Sequence, residues 1–282
     1  MSDQQLVVGI HDFDWLYTQV HDTETQDLVD RIVAIEKSYM DGRPIPTGTD
    51  LLKLRLGNNI IWTRENTTHT IPFGYVQIFK LLDEILPTEF RQPMHNLVVD
   101  VGANEGHWSL YMCKQHPGAA ILAIEPNPIP LELMKKNFES NNIKNVEILP
   151  IAISKEASKK DLETIDNVTS LGSFKIDRTG RPWITDARIR RITVECKRLD
   201  DLKEVKNAVA IDLLKVDVEG AELEVIEGAA GVLDKIIRLE IEYGSEENRA
   251  KLLEILKFQG FKLLLDYPYS RGRGDLFFYR VT

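Results

Sequence analysis

From Asn96 to the C-terminus the apolar residues keep two rhythms in turn: short unbroken runs bounded by turn residues, and longer stretches with apolar side chains at i, i+3 and i+4. The first run, Leu97 to Val99, is too short and too β-branched for a helix and predicts a buried parallel strand ending in Asp100. After a glycine turn, Trp108, Tyr111 and Met112 mark one face of a helix. Pro117-Gly118 stops that helix, and AAILAIE predicts a second strand ending in Glu125. Asn127 caps the next helix, with Pro128 at its first position and Leu131, Met134 and Phe138 facing inward. VEILPIAI reads as a third strand, Asp212 to Val218 as a fourth and Ile236 to Ile241 as a fifth, with a helix opening at Gly220 between the last two. Ser245 caps a final helix through Gln259, and FKLLLDY and LFFYR form a C-terminal antiparallel hairpin. This alternation predicts an α/β fold built on a doubly wound parallel sheet, finished by reversed strands.

Two regions depart from that rhythm. Residues 1–95 read as a mostly helical extension that caps the domain formed by 96–282. Leu28, Ile32, Val33 and Tyr39 keep helical spacing; Leu51 to Trp62 suggests two short strands around Gly57-Asn58-Asn59; and Val76, Phe79, Leu82, Ile85 and Leu86 give a helix face between Pro72 and Pro87. The second departure is an insertion at about 154–201. There Leu171 to Ile176 and Ile189 to Cys196 read as strands, so a β-rich excursion above the sheet is expected, at a level where loops recognise substrate.

The turn Gly102-Ala103-Asn104-Glu105-Gly106 lies between a strand and a helix, at the carboxyl edge of an open sheet, where ligands bind. Gly102 can take positive φ and let a ligand approach the backbone, and Gly106 frees a helix start whose N–H groups favour an anionic group. The dinucleotide fingerprint G-x-G-x-x-G is absent: three residues separate the glycines, and an acid, Asp100, precedes them. A carboxylate there repels pyrophosphate and suits an ammonium group. Glu125 follows Gly106 by nineteen residues, near the roughly 20-residue interval at which an acid ending the second strand binds ribose hydroxyls. The expected ligand carries an amine, a carboxylate and a ribose.

Composition narrows the partners. A formal charge of −9 opposes binding to nucleic acid through phosphates. One segment differs: Lys155 to Arg198 holds eleven Lys and Arg against seven Asp and Glu, and that excess would attract an anionic small-molecule substrate. No apolar run approaches the ~20 residues of a membrane span, and the first residues lack the pattern of a secretory signal, so a cytoplasmic protein without a membrane partner is expected. Cys113 and Cys196 are isolated and read as small buried hydrophobes. Oligomeric state is not legible.

VVDVGANEG, AIEPNP, NVEILPIAIS and IDLLKVDVEGAELEVIEGA followed by LEIEYG resemble, in that order, the FkbM family of S-adenosylmethionine-dependent methyltransferases. The likeness runs from Leu97 to Tyr243. It implies a class I, Rossmann-like methyltransferase fold, a seven-stranded sheet with its last strand antiparallel, and O-methylation of hydroxyls on secondary metabolites or sugars, with S-adenosylhomocysteine as product. By the same resemblance, Asp100, Gly102, Ala103, Asn104, Glu105 and Gly106 would hold the methionine part, Glu125 would take the ribose hydroxyls, and Ala152, Ile153 and Ser154 would lie near adenine, with Pro126 and Asp217 further cofactor contacts.

Methyl transfer needs donor and acceptor in line and somewhere for the acceptor's proton to go. Asp217, Glu219 and Glu242 are the candidate catalytic acids, because the ends of the fourth and fifth strands share the crevice. His69 and His107 are nearby alternatives. No metal is expected, although a weak magnesium site using Asp217 stays open. The competing readings are methyl esterification of a carboxylate, a NAD-dependent oxidoreductase, a non-catalytic cofactor-binding module, and a nucleic-acid methyltransferase.

Overall fold

The computed structural model describes residues 12–40, 48–165, 168–176, 188–270 and 272–281. Its centre is a seven-stranded sheet of order β12-β13-β11-β10-β3-β4-β5. The strands are β3 (Leu97–Val101), β4 (Ala120–Ile124), β5 (Val146–Leu149), β10 (Ile211–Val216), β11 (Arg238–Tyr243), β12 (Phe261–Ser270) and β13 (Arg273–Arg280). From β5 to β11 all pairings are parallel, and β13 runs antiparallel to both β11 and β12. The chain winds outward from β3 through β4 to β5, returns to β10 on the other side of β3, and winds outward again. The strand order therefore reverses between β3 and β10, and a crevice opens at their carboxyl ends.

The helices of this unit are α3 (His107–Gln115), α4 (Pro128–Ser140), α5 (Lys203–Asn207), α6 (Glu222–Gly228) and α7 (Glu246–Phe258). Two caps form as expected: Asn127 Oδ1 accepts from Ile129 N at 3.2 Å, and Ser245 Oγ from Asn248 N at 3.1 Å. The fourth-strand helix starts at Glu222, two residues later than expected, because Glu219 (φ +52°) and Gly220 (φ +107°) are left-handed and cannot continue a helix. VEILPIAI is not one strand. Pro150 ends β5, and Ala152–Ile153 (β6) joins a separate four-stranded sheet of order β6-β9-β7-β8. Its other members are β7 (Ser158–Ile165), β8 (Val168–Ser173) and β9 (Ile189–Lys197). The insertion is β-rich as expected, though β7 was not legible: its sequence SKKDLETI is charged and carries a weak alternation. Both cysteines are free and buried.

The N-terminal residues form α1 (Phe13–Thr18), α2 (Thr23–Met40) and a hairpin of β1 (Leu51–Leu56) and β2 (Asn59–Arg64). The expected α-helix after Pro72 is instead wound as π-helical turns, Ile71–Tyr75 and Gln77–Leu82, with one α-turn, Asp83–Ile85. Such windings are rare and collect at functional sites; here they supply Phe73, Gly74, Gln77 and Ile78 to a cavity wall.

The extension does not sit apart from the sheet. Leu16, Ile32, Leu54, Ile61 and Tyr75 share one buried cluster with Leu110, Leu131, Met134 and Phe138 of α3 and α4. Polar side chains fix the register between them. Asn137 Oδ1 accepts from Trp62 N at 2.7 Å, Asn141 Oδ1 from Ile60 N at 3.0 Å, and Asn141 Nδ2 donates to Ile60 O at 2.6 Å, so one asparagine of α4 and the one that caps its C-terminus satisfy the free edge of β2 as a neighbouring strand would. Asn137 Nδ2 also donates to Glu105 O at 2.8 Å, tying the hairpin to the turn after β3. Among the described residues no helix is long and apolar enough to cross a membrane.

Candidate active site

A cavity of about 380 Å³ opens at the strand-order reversal, walled by the turns after β3, β4 and β10, by the ends of β11 and β13, by β8, and by the N-terminal turns. The turns after β3 and β10 touch through their backbones. A Cβ on Gly102, which has φ +85°, would lie 1.8 Å from Asp217 O, so only glycine closes this point. Gly102 N and Ala103 N both donate to Ile124 O at 3.0 Å, holding the turn against the end of β4.

The residues expected to bind cofactor divide into two groups. Gly102, Ala103, Asn104, Glu105, Glu125, Pro126, Ala152 and Ile153 line the cavity, as do Asp217, Glu219 and Glu242. Asp100 and Gly106 stand behind the wall. Asp100 is fully buried; its Oδ2 accepts from Ser109 Oγ at 2.6 Å, and its Oδ1 lies 3.8 Å from Lys215 Nζ without a hydrogen bond. Gly106 has φ +81° at the start of α3, and a Cβ there would lie 2.6 Å from Met134 Cγ and 3.0 Å from the Phe138 ring. Its bareness serves the packing of α4 against the turn.

Glu125 is held by the backbone. Its Oε2 accepts from Asn104 N at 2.9 Å and its Oε1 from Asn127 N at 2.7 Å. Burial pushes its carboxyl up to about 7, against the pull of these two donors. Each oxygen keeps a further lone pair for a donor in the cavity. Asn104 Oδ1 is also buried without a partner.

The opposite end is a cluster of acids around one cation. Lys215 is 9 % exposed, and its Nζ lies 3.0 Å from Asp217 Oδ2. In register it stands beside Asp100 on β3 and Glu240 on β11, and Trp108 Nε1 donates to Glu240 Oε2 at 3.2 Å. Burial works against the lysine charge, yet Asp217, Asp100 and Glu240 outweigh it and hold Lys215 above the usual lysine range. Burial also raises Asp217, but Lys215 prevails and keeps that carboxyl below the usual range. Glu242 goes the other way, raised well above the ordinary value by burial and then by Asp217 and Glu219. Tyr269 Oη donates to Glu242 Oε1. Across the β11–β13 ladder Glu242 pairs with Asp275, whose carboxyl burial and Asp217 push up to about 7. Glu219 is turned to Arg273 at 3.2 Å.

Lys215, Tyr269, Arg273 and Asp275 escaped the sequence reading. A lysine inside the buried run IDLLKV was a usable signal, because a buried lysine must pair. The other three lie on the C-terminal hairpin, which only the sheet order brings to the crevice. His107 lines the cavity with Nε2 unpartnered, 4.0 Å from Glu105 Oε2, and burial lowers it to about 4, so it is neutral. The side chain of His69 lies outside the described residues. Arg188, Arg190 and Arg191 stand at β9, with Arg191 Nη2 bonded to Glu163 at 2.8 Å, and none of them lines the cavity.

A sheet with this reversal, seven strands and an antiparallel β13 is the class I methyltransferase arrangement, with a nucleotide-type crevice over its carboxyl edge. Residues 100–263 match the model of the methyltransferase FkbM domain, and the chain belongs to that family. It is 30 % identical over 198 residues to methyltransferase sdnD of Sordaria araneosa, covering 62 % of this chain and 76 % of that one. It is 27 % identical to the 31-O-demethyl-FK506 methyltransferase FkbM of Streptomyces tacrolimicus, over 47 % of this chain and 59 % of that one. It is 25 % identical to the 2-O-methyltransferase NoeI of Sinorhizobium fredii (strain NBRC 101917 / NGR234), over 64 % and 77 %. The chain is a methyltransferase, which sets aside the dehydrogenase alternative.

Proposed function

We propose that this methyltransferase uses S-adenosylmethionine to O-methylate a hydroxyl of a small molecule such as a secondary metabolite or sugar. The observation that carries the reading is the single cavity joining two unlike ends: a turn and a backbone-held carboxylate on one side, an acid cluster with a hydroxyl on the other. The residues present fit the cofactor. Gly102 leaves a bare backbone, Glu125 offers free lone pairs for ribose hydroxyls, Asn104 Oδ1 awaits a donor, and Ala152 and Ile153 offer an apolar wall for a base. When bound, the cofactor supplies a carbon already activated for displacement by its sulfonium.

The chain's own residues then have separate tasks. Asp217, kept ionised by Lys215, accepts a hydrogen bond and orients the acceptor hydroxyl. Glu242 has the higher proton affinity and takes the hydroxyl proton when it is ionised. Glu219 is held by Arg273 and forms wall. Glu36, Thr70, Phe73, Gly74, Gln77 and Ile78 cap the cavity, and Gly172, Ser173 and Phe174 of the insertion close its side toward the acceptor. Cavity acids outnumber cavity bases, which favours a hydroxyl acceptor over a carboxylate and gives no support to an anionic substrate. The O-methyl relatives named above support the same reaction type.

Calorimetric titration with S-adenosylmethionine, S-adenosylhomocysteine and NAD tests the cofactor. Binding of the two sulfur ligands at micromolar concentration, with NAD silent, is expected; silence from both sulfur ligands would sink the reading. Mass spectrometry of hydroxyl-bearing and carboxyl-bearing acceptor panels then separates ethers from esters by their stability to mild base.

A further inference from the structure

Glu242 and Asp275 line the acid-rich end of the cavity. Around them, Lys215 Nζ is turned to Asp217 at 3.0 Å and Asp100 at 3.8 Å, and Arg273 to Glu219 at 3.2 Å. Neither Glu242 nor Asp275 has an ion-pair partner among the described residues, while both line the cavity. They are direct partners in the β11–β13 ladder, so the backbone fixes their side chains on neighbouring strands at the crevice. Glu242 is partnered by the hydroxyl of Tyr269 and by the Asp217 carboxyl, and neither brings a positive charge. Two half-buried carboxyl groups thus face the same cavity from neighbouring strands of the sheet.

Such a pair has two stable answers. Either it keeps protons that ordinary carboxyls would release, or a cation enters the cavity and neutralises it. The raised proton affinities of both groups in the ligand-free chain correspond to the first answer. The second is available from a ligand whose positive charge disappears in the reaction. We propose that Asp275, with its ladder partner Glu242, reads the sulfonium charge, so that the site holds the methylated cofactor more tightly than the neutral thioether product. The proposal rests on the S-adenosylmethionine reading given above. It assigns Asp275 a specificity-determining role: the charge lost on transfer is the charge the pair was balancing, and product affinity falls in the same event.

The test is calorimetric, without acceptor, so that no turnover occurs. Affinities for S-adenosylmethionine, for sinefungin, whose amine replaces the methylsulfonium, and for S-adenosylhomocysteine are measured on the wild type, Asp275→Asn and Glu242→Gln. The wild type is expected to bind the two charged ligands at least fivefold more tightly than the neutral one. Asp275→Asn should bring all three within about twofold by weakening the charged ligands alone, its unchanged affinity for S-adenosylhomocysteine showing that the site is folded. Should that variant not fold, Glu242→Gln carries the same expectation. Equal affinities in the wild type, or a charge preference that survives the folded variants, would overturn the proposal while leaving the cofactor reading intact. Failure of all three ligands to bind the wild type would overturn the cofactor reading and this inference with it.

Discussion

The two ends of the cavity use the same chemical group in opposite ways. Glu125, at the end of β4, has each oxygen accepting a backbone N–H, at 2.9 and 2.7 Å. Its position is set by local chain geometry, and what remains to it is to accept from neutral donors. At the ends of β10, β11 and β13 stand Asp217, which is paired with Lys215, and Glu242 and Asp275, which are not, and their properties come from mutual charge. A carboxylate pinned by amides is a fixed acceptor suited to hydroxyls. Carboxyls crowded around one cation form a charge sensor and a proton store, because each added or lost charge is felt by its neighbours.

Breaking the crowded end should have the largest effect. Lys215→Met leaves Asp100, Asp217 and Glu240 without their shared cation, and the loss of one member of a buried charge set costs about 3–5 kcal/mol. Urea unfolding would read this as a lower midpoint, and an unchanged midpoint would mean that Lys215 does not organise the cluster. At the pinned end, Glu125→Ala should leave the fold in place and weaken cofactor binding by about 1–3 kcal/mol, through lost hydrogen bonds to a charged group. Calorimetry reads that directly, and undiminished affinity would remove Glu125 from the site.

The ends also predict a pH dependence with a definite sign. Burial raises Glu125 and Glu222 to about 7 and Glu240 to about 8, from an ordinary value of 4.5. Between those limits the folded chain holds protons that the unfolded chain has released, so stability falls as pH rises through the window. The ligand-free melting temperature should be lower at pH 8 than at pH 5.5, by on the order of 5 °C. A melting temperature that climbs with pH would show that these carboxyls are ionised in the fold. The smallest effect is expected outside the cavity: converting Arg188, Arg190 and Arg191 to Gln should change cofactor affinity by less than about 0.5 kcal/mol. A large loss would bring the insertion's charge back into the site.

Much of the fold was legible because its signals are local. A β-branched run, a glycine turn, an Asn-Pro cap and a terminal acid each state their structure within a few residues, as at Leu97, Gly102, Asn127 and Glu125. The candidate site was legible where it rests on those same turns. Reading failed where the determinant was non-local or where two roles share one residue type. Pro150 split an apolar run between two sheets; the face after Pro72 was helical, but nothing in its spacing separates an α from a π winding. Gly106, expected in the cofactor turn, also leaves packing space for Met134 and Phe138, which its spacing does not reveal. Asp100, expected as a cofactor contact, is fully buried and bonded to Ser109, a partner that spacing does not reveal.

The sequence by itself determined the alternation of strands and helices and the acids at the strand ends, since hydrophobic period and turn chemistry act over short spans of chain, and its motifs carried the resemblance to a methyltransferase family. Only the tertiary structure decided that Asp275 stands beside Glu242, that Lys215 serves three acids at once, and that Asn137 and Asn141 complete the edge of β2. Those contacts depend on strand order and register, which the whole core selects, and no local stretch of sequence carries them.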